Sequence, residues 1–134
     1  MTNRDIWAAI LAYIKTQTSV TSLLNAAGDV KERQWQGVDF VYPAIRLSLN
    51  FYPSINGCGP DRAEVFLQAF SEEKSSDETQ LITSALEVLL HKKPFTSNGI
   101  KFPVVVVKEV SRPQRGIFAW ESTVDLTMQM YNSV

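Results

Sequence analysis

Cysteine and histidine are nearly missing from this 134-residue sequence, which holds one of each, Cys58 and His91. A lone cysteine excludes an internal disulfide and a multi-cysteine metal site, and zinc would need several more ligands than these two residues supply. Cys58 therefore reads as a free buried or loop thiol. An excess of charge is missing too: 13 basic residues stand against 14 acidic ones, so no broad field recommends the chain to nucleic acid or an anionic membrane. Long apolar runs are also absent. The opening MTNRDIWAAILAYIK is apolar over too short a run to span a bilayer, which takes roughly 20 residues. It has neither the basic leader nor the small-residue cleavage site of a secretory signal, so a protein that stays in the cytoplasm is expected.

What is present is globular. With 45% apolar and 20% charged residues, one soluble domain spanning 1–134 is expected, since a chain of about 150 residues removes roughly 70% of its unfolded surface from water. Ile6, Trp7, Ile10, Leu11 and Ile14 recur at spacings of three and four, a helical stripe that Thr2 or Asn3 can cap. A short helical turn follows from Thr18 or Ser19, with Gly28 as its stop. After the short strand-like VKERQW, YPAIRLSLNF alternates Ile45, Leu47, Leu49 and Phe51 with polar residues, the period of a half-buried strand, and Pro43 suits its first position. YPSINGCGPD reads as a long loop. RAEVFLQAF carries Val65, Leu67 and Ala69 on one side and Phe66 and Phe70 on the other, which predicts a strand in the interior of a sheet.

The stretch SEEKSSDETQ, residues 71–80, concentrates four carboxylates and three serines. Paired carboxylates can move protons or hold a metal. Here Asp77 precedes Gln80 by three residues and Ser75 precedes Glu78 by three, so either pair predicts a capping box at a helix start, with the acids favoured by the helix dipole. The helix would bury Leu81, Ile82, Ala85, Leu86 and Leu89, and His91, Lys92 and Lys93 would lie solvated at its negative end. Towards the C-terminus VVVVKEV predicts a strand, SRPQRG a polar turn region, and a second strand from Ile117 places Phe118, Trp120, Val124, Leu126, Met128 and Met130 on a core face. The fold class is α+β: a mainly antiparallel sheet with two helices packed on one face and a long C-terminal β-hairpin.

No catalytic constellation emerges. His91 is the only histidine a Ser-His-Asp or Cys-His arrangement could use, and a helix C-terminus favours its cation over the neutral base. NGCGPD lacks the lysine ending of a phosphate loop. Arg112 and Arg115 read either as an ordinary exposed hairpin tip or as contacts to a partner's acids or phosphates. Trp35, Phe51 and Tyr52 read as interface anchors or as core edges. No enzyme activity, cofactor, metal or small-molecule substrate is expected.

An N-terminal helix, a YPAIRLSL strand opening at Tyr42 and Pro43, RAEVFLQAFSEE running into the helix DETQLITSALEVLL, and a VVVV hairpin together resemble the tail-terminator or tail-completion proteins of long-tailed bacteriophages. The resemblance covers nearly the whole chain and is one of pattern and order. It implies a homo-hexameric ring in the virion, at the head-proximal end of the tail. That ring binds the tail-tube protein, stops tube growth and meets the head-tail connector or neck protein, with DNA only passing through the lumen. It implies sheets that join around the ring. The contact surfaces would be the loop with Tyr52, Asn56, Asp61 and Arg62, the hairpin tip with Arg112 and Arg115, and the polar face of the last strand with Glu121, Thr123 and Asp125, which would line the lumen or meet a neighbour. Neck and head-completion ring proteins are the alternative within this class. Outside it stand a small α+β enzyme or ligand-binding module using Asp77, Glu78 or His91, and a nucleic-acid binder.

Overall fold

The computed structural model describes residues 2–24, 30–32, 42–54, 60–72, 75–116 and 119–132. Helix α1 (Asn3–Lys15) starts at Thr2 with a complete capping box: the Thr2 hydroxyl accepts from the Asp5 amide at 3.3 Å and the Thr2 amide donates to the Asp5 carboxylate at 2.9 Å. It buries Ile6, Ala9, Ile10, Leu11 and Ile14, with Trp7 packed at the margin. The single turn α2 (Thr18–Thr21) follows, and Gly28 lies outside the described residues.

Strand β1 (Val30–Glu32) runs parallel to β2 (Ala44–Tyr52), the only parallel pair among the described residues. Pro43 stands just before β2, after a cis peptide bond. The expected alternation holds in the second half of β2, but its first four residues are all buried, Arg46 included. Strand β3 (Asp61–Ser71) pairs with β2 on one side and β7 (Trp120–Asn132) on the other, the interior position its two apolar faces predicted.

Helix α3 (Asp77–Leu90) departs from expectation twice. Neither capping box forms, because the N-cap is Ser76, whose side chain makes no cap bond. Instead Glu78 accepts a 2.6 Å hydrogen bond from the buried Ser71 hydroxyl at the end of β3, and Gln80 donates to the Ser76 hydroxyl at 2.9 Å. The joint is thus tied strand to helix by Ser71 and Glu78 as well as within the first turn by Ser76 and Gln80. The buried stripe is also different: Thr79, Ile82, Thr83, Leu86 and Leu90 face the core, while Leu81 and Val88 lie outside, 59% and 66% exposed. Thr79 and Thr83 can face inward because their hydroxyls bond carbonyls of their own chain, Thr79 to Ser76 and Thr83 to Thr79 and Gln80.

Beyond α3, β4 (Phe95–Ser97) turns through Asn98 and Gly99, both at positive φ, into β5 (Ile100–Val110). Two central residues at positive φ suit a two-residue hairpin, and Asn-Gly is the pair that adopts them most readily. Tyr13 stacks on Phe95 at 4.0 Å and Phe95 on Phe102 at 4.5 Å between centroids, joining α1 to β4 and β5. Strand β5 runs antiparallel to β7 with two irregularities, between Lys101 and Val104 and between Val107 and Glu109. Pro103 falls in the first, a place where a missing amide is tolerated. The segment expected to be a polar turn contains a two-residue strand, β6 (Gln114–Arg115), paired to Glu121 and Trp120, and β7 begins at Trp120 rather than Ile117, which with Phe118 lies outside the described residues.

Among the described residues these strands form one mixed, strongly curled sheet in the order β1-β2-β3-β7-β5-β4, with β6 beside β7. One core cluster joins residues of α1 and α3 to Ile45, Leu47, Val65, Leu67, Val124, Leu126 and Met128. No described helix is long and apolar enough to cross a membrane.

Candidate interaction surface

Side chains alternate across a strand, so fixing the core face of β2, β3 and β7 fixes the opposite set. The register sets Tyr52, Arg62, Gln129 and Val104 in one row across four strands, and Asn50, Glu64, Thr127 and Val106 in the next. The first row, with Glu64 and Thr127 of the second, lines a groove of about 390 Å³ on the outer face. Tyr52 and Val104 are 47% and 40% exposed, and beside them Tyr131 is 46% exposed with the Lys101 ammonium 5.9 Å from its ring centroid. Further along the same face come Phe66 opposite Asp125, then Gln68 opposite Thr123, then Phe70 opposite Glu121.

The expected contact residues sort into two groups on this frame. Tyr52 and Arg62 are cross-strand partners in the groove. Asp61 next to them is occupied structurally: its carboxylate accepts from the Ser54 amide at 2.7 Å and ties the two ends of the loop. Asn56 and Cys58 in that loop, and Trp35, lie outside the described residues. At the far end Glu121 lies opposite Gln114 on this face, while Arg115 lies opposite Trp120 and so alternates to the other side, and Arg112 is exposed just before β6. Arg62 and the partner positions of Phe70 are eight residues apart along β3, roughly 26 Å. Asp125 lies between the two groups. The expected contact residues therefore do not gather into one site on this face.

The tip is held by backbone chemistry. The Ser111 amide donates to the Thr123 carbonyl, its hydroxyl accepts from the Thr123 amide, and its carbonyl accepts from the Ser122 hydroxyl, each at 2.8 Å. The Gly116 amide donates to the Ala119 carbonyl, also at 2.8 Å, and a Cβ on Gly116 would meet the Glu121 carboxylate at 3.0 Å. Arg112 and Arg115 thus project from a pinned segment.

Two residues of the enzyme alternative, His91 and Glu78, make hydrogen bonds that join elements of the fold. His91 was expected to be solvated; it is half-buried, and its Nδ1 accepts a 3.0 Å hydrogen bond from the Val107 amide, while the Lys92 amide donates to the Val105 carbonyl at 2.8 Å. The chain leaving α3 therefore satisfies part of the outer edge of β5. Glu78 is bound to Ser71. Among the described residues no group of three His, Cys, Asp or Glu side chains is placed to hold a metal ion.

The fold has known counterparts, although no family model matches the chain and no curated protein matches it significantly. A chain from the solved virion of a native gene transfer agent particle superposes with a TM-score of 0.73, covering 92% of both chains at 8% identity. A second solved chain superposes with a TM-score of 0.65 at 14% identity, covering 98% of this chain and 96% of its own length. Both likenesses concern the fold.

Proposed function

We propose that this chain is a structural protein of a phage-like virion and acts as a tail terminator. In this reading about six copies close into a ring on the end of the tail tube, stop its growth and present a surface to the head-side connector. The observation that carries it is the end-to-end likeness to a chain of a gene transfer agent virion. At low identity such a likeness transmits architecture only, so the role rests equally on the sequence resemblance. One feature supports it: the outer sheet face carries the exposed Tyr52 and Tyr131. The finer architecture belongs to the same reading, with α1 and α3 on one face of the sheet and the β5–β7 pair as an extended hairpin. Glu121, Thr123 and Asp125 would then face the lumen, where an acidic lining repels passing DNA, or a neighbouring copy.

The test is to add the purified chain to assembling tail-tube protein and to measure tube length and end structure by electron microscopy. Short tubes with a ring at one end are the expected result. Tubes of unchanged length with bare ends overturn the terminator role. Binding to the connector without any effect on tubes favours a neck protein.

A further inference from the structure

The chain carries two unpartnered apolar surfaces on opposite sides. One is the outer-face groove. The other is the outward stripe of α3, where Leu81 and Val88 are the most exposed large apolar residues among those described. The helix turns Thr79 and Thr83 to the core and keeps Leu81 and Val88 outside. Folding alone favours the reverse, because burying Leu and Val returns more than burying Thr. An apolar stripe maintained on the wet side of a helix is the mark of a contact surface.

The two surfaces match in size and charge. Leu81 and Val88 are seven residues apart, about 10.5 Å along the helix, and the row from Tyr52 to Val104 crosses four strands, about 14 Å. Apart from Glu78, which is bound to Ser71, helix α3 carries the acids Asp77 and Glu87 and no basic residue, while Arg62 is an exposed cation in the groove. Glu64, also in the groove, is half-buried.

We propose that the Leu81 and Val88 stripe of one copy docks in the groove of the next, against Tyr52, Arg62 and Val104. The surfaces lie on opposite sides of the subunit, so the contact is head-to-tail, the kind that closes into a ring or continues as a filament. It names the contact between subunits in the ring reading above and rests on that reading.

Two double variants test it by complementation: Leu81→Glu with Val88→Glu removes the stripe, and Tyr52→Ala with Val104→Glu removes the groove. Light scattering should show oligomers for the unaltered chain, monomers for each variant alone, and one-to-one pairs in an equimolar mixture, since the mixture retains one intact stripe and one intact groove. A monomeric unaltered chain, a monomeric mixture, or a groove variant that still assembles through stripe against stripe overturns the proposal. Thermal melting checks folding, and Leu81→Ser with Val88→Ser repeats the test if the glutamates lower the melting temperature. Tube assembly separates the two readings. An unaltered chain that pairs by this contact but leaves tube ends bare overturns the terminator role alone, whereas one that caps tubes while the mixture stays monomeric overturns this contact alone.

Discussion

The two faces of β3 are a controlled comparison within one strand. Its inner positions, Ala63, Val65, Leu67, Ala69 and Ser71, are all but sealed, yet three of the five are small. Its outer positions include the larger Phe66 and Phe70, which are only half-buried. The core is thus closed with modest side chains on this strand, while the bulky Phe66 and Phe70 lie on its other face. Size and burial are separated along one strand.

The comparison breaks most visibly at the aromatic ladder. Phe102→Ala removes the inner ring that stacks on Phe95 and, through it, reaches Tyr13 of α1. A loss of about 3–5 kcal/mol in urea unfolding is expected. A loss under about 1 kcal/mol would show that the ladder is not part of the cooperative core. On β3 itself, Leu67→Ala should cost about 2–5 kcal/mol, whereas Phe66→Ser on the outer side should cost much less and instead weaken self-association. Equal costs would erase the distinction between faces. Next in size is Ser71→Ala, which deprives Glu78 of its buried donor and should cost about 1.5–3 kcal/mol, the range for a hydrogen bond to a charged group. A neutral result would mean that the strand-to-helix joint is held by packing alone.

How much of this was legible depended on whether the signal was local. The first helix and its Thr2 cap, the strand at 61–71 and its interior position follow from periodicity within a few residues. The outward face of α3 did not, because Thr79 and Thr83 look polar in the sequence yet satisfy their hydroxyls on the helix's own carbonyls. That rotates the buried stripe by roughly 80° from the apolar one, at 100° per residue. Strand β4 was overlooked although Asn98-Gly99 is a strong hairpin signal. The hydrogen bond from Val107 to His91 joins residues sixteen apart in sequence and has no local trace. The groove was the least legible of all: it exists only once the register of four strands is set, which is why Tyr52 and Arg62 could be read as contact residues while Val104 and Gln129 could not.

The smallest effect concerns the first turn of α1, whose ends are satisfied by side chains rather than by the core. Thr2→Ala should cost about 0.5–2 kcal/mol, as cap removal does. Its partner Asp5 accepts the backbone amide of Thr2, and this bond, followed by the one with the Thr2 side chain, holds the Asp5 carboxyl below its ordinary value. A carboxyl lowered in the folded state binds its proton more weakly there than in the unfolded chain. Its contribution is therefore complete above the unfolded value, near 3.9, and is lost as pH falls through the lower folded one. The gap in melting temperature between the unaltered chain and Asp5→Asn should be constant near neutrality and should narrow only in acid. Because Asp5 is fully exposed, added salt should shrink that gap as well. A gap that stays constant through the acid range would mean that the capping box acts through geometry and not through the charge of Asp5.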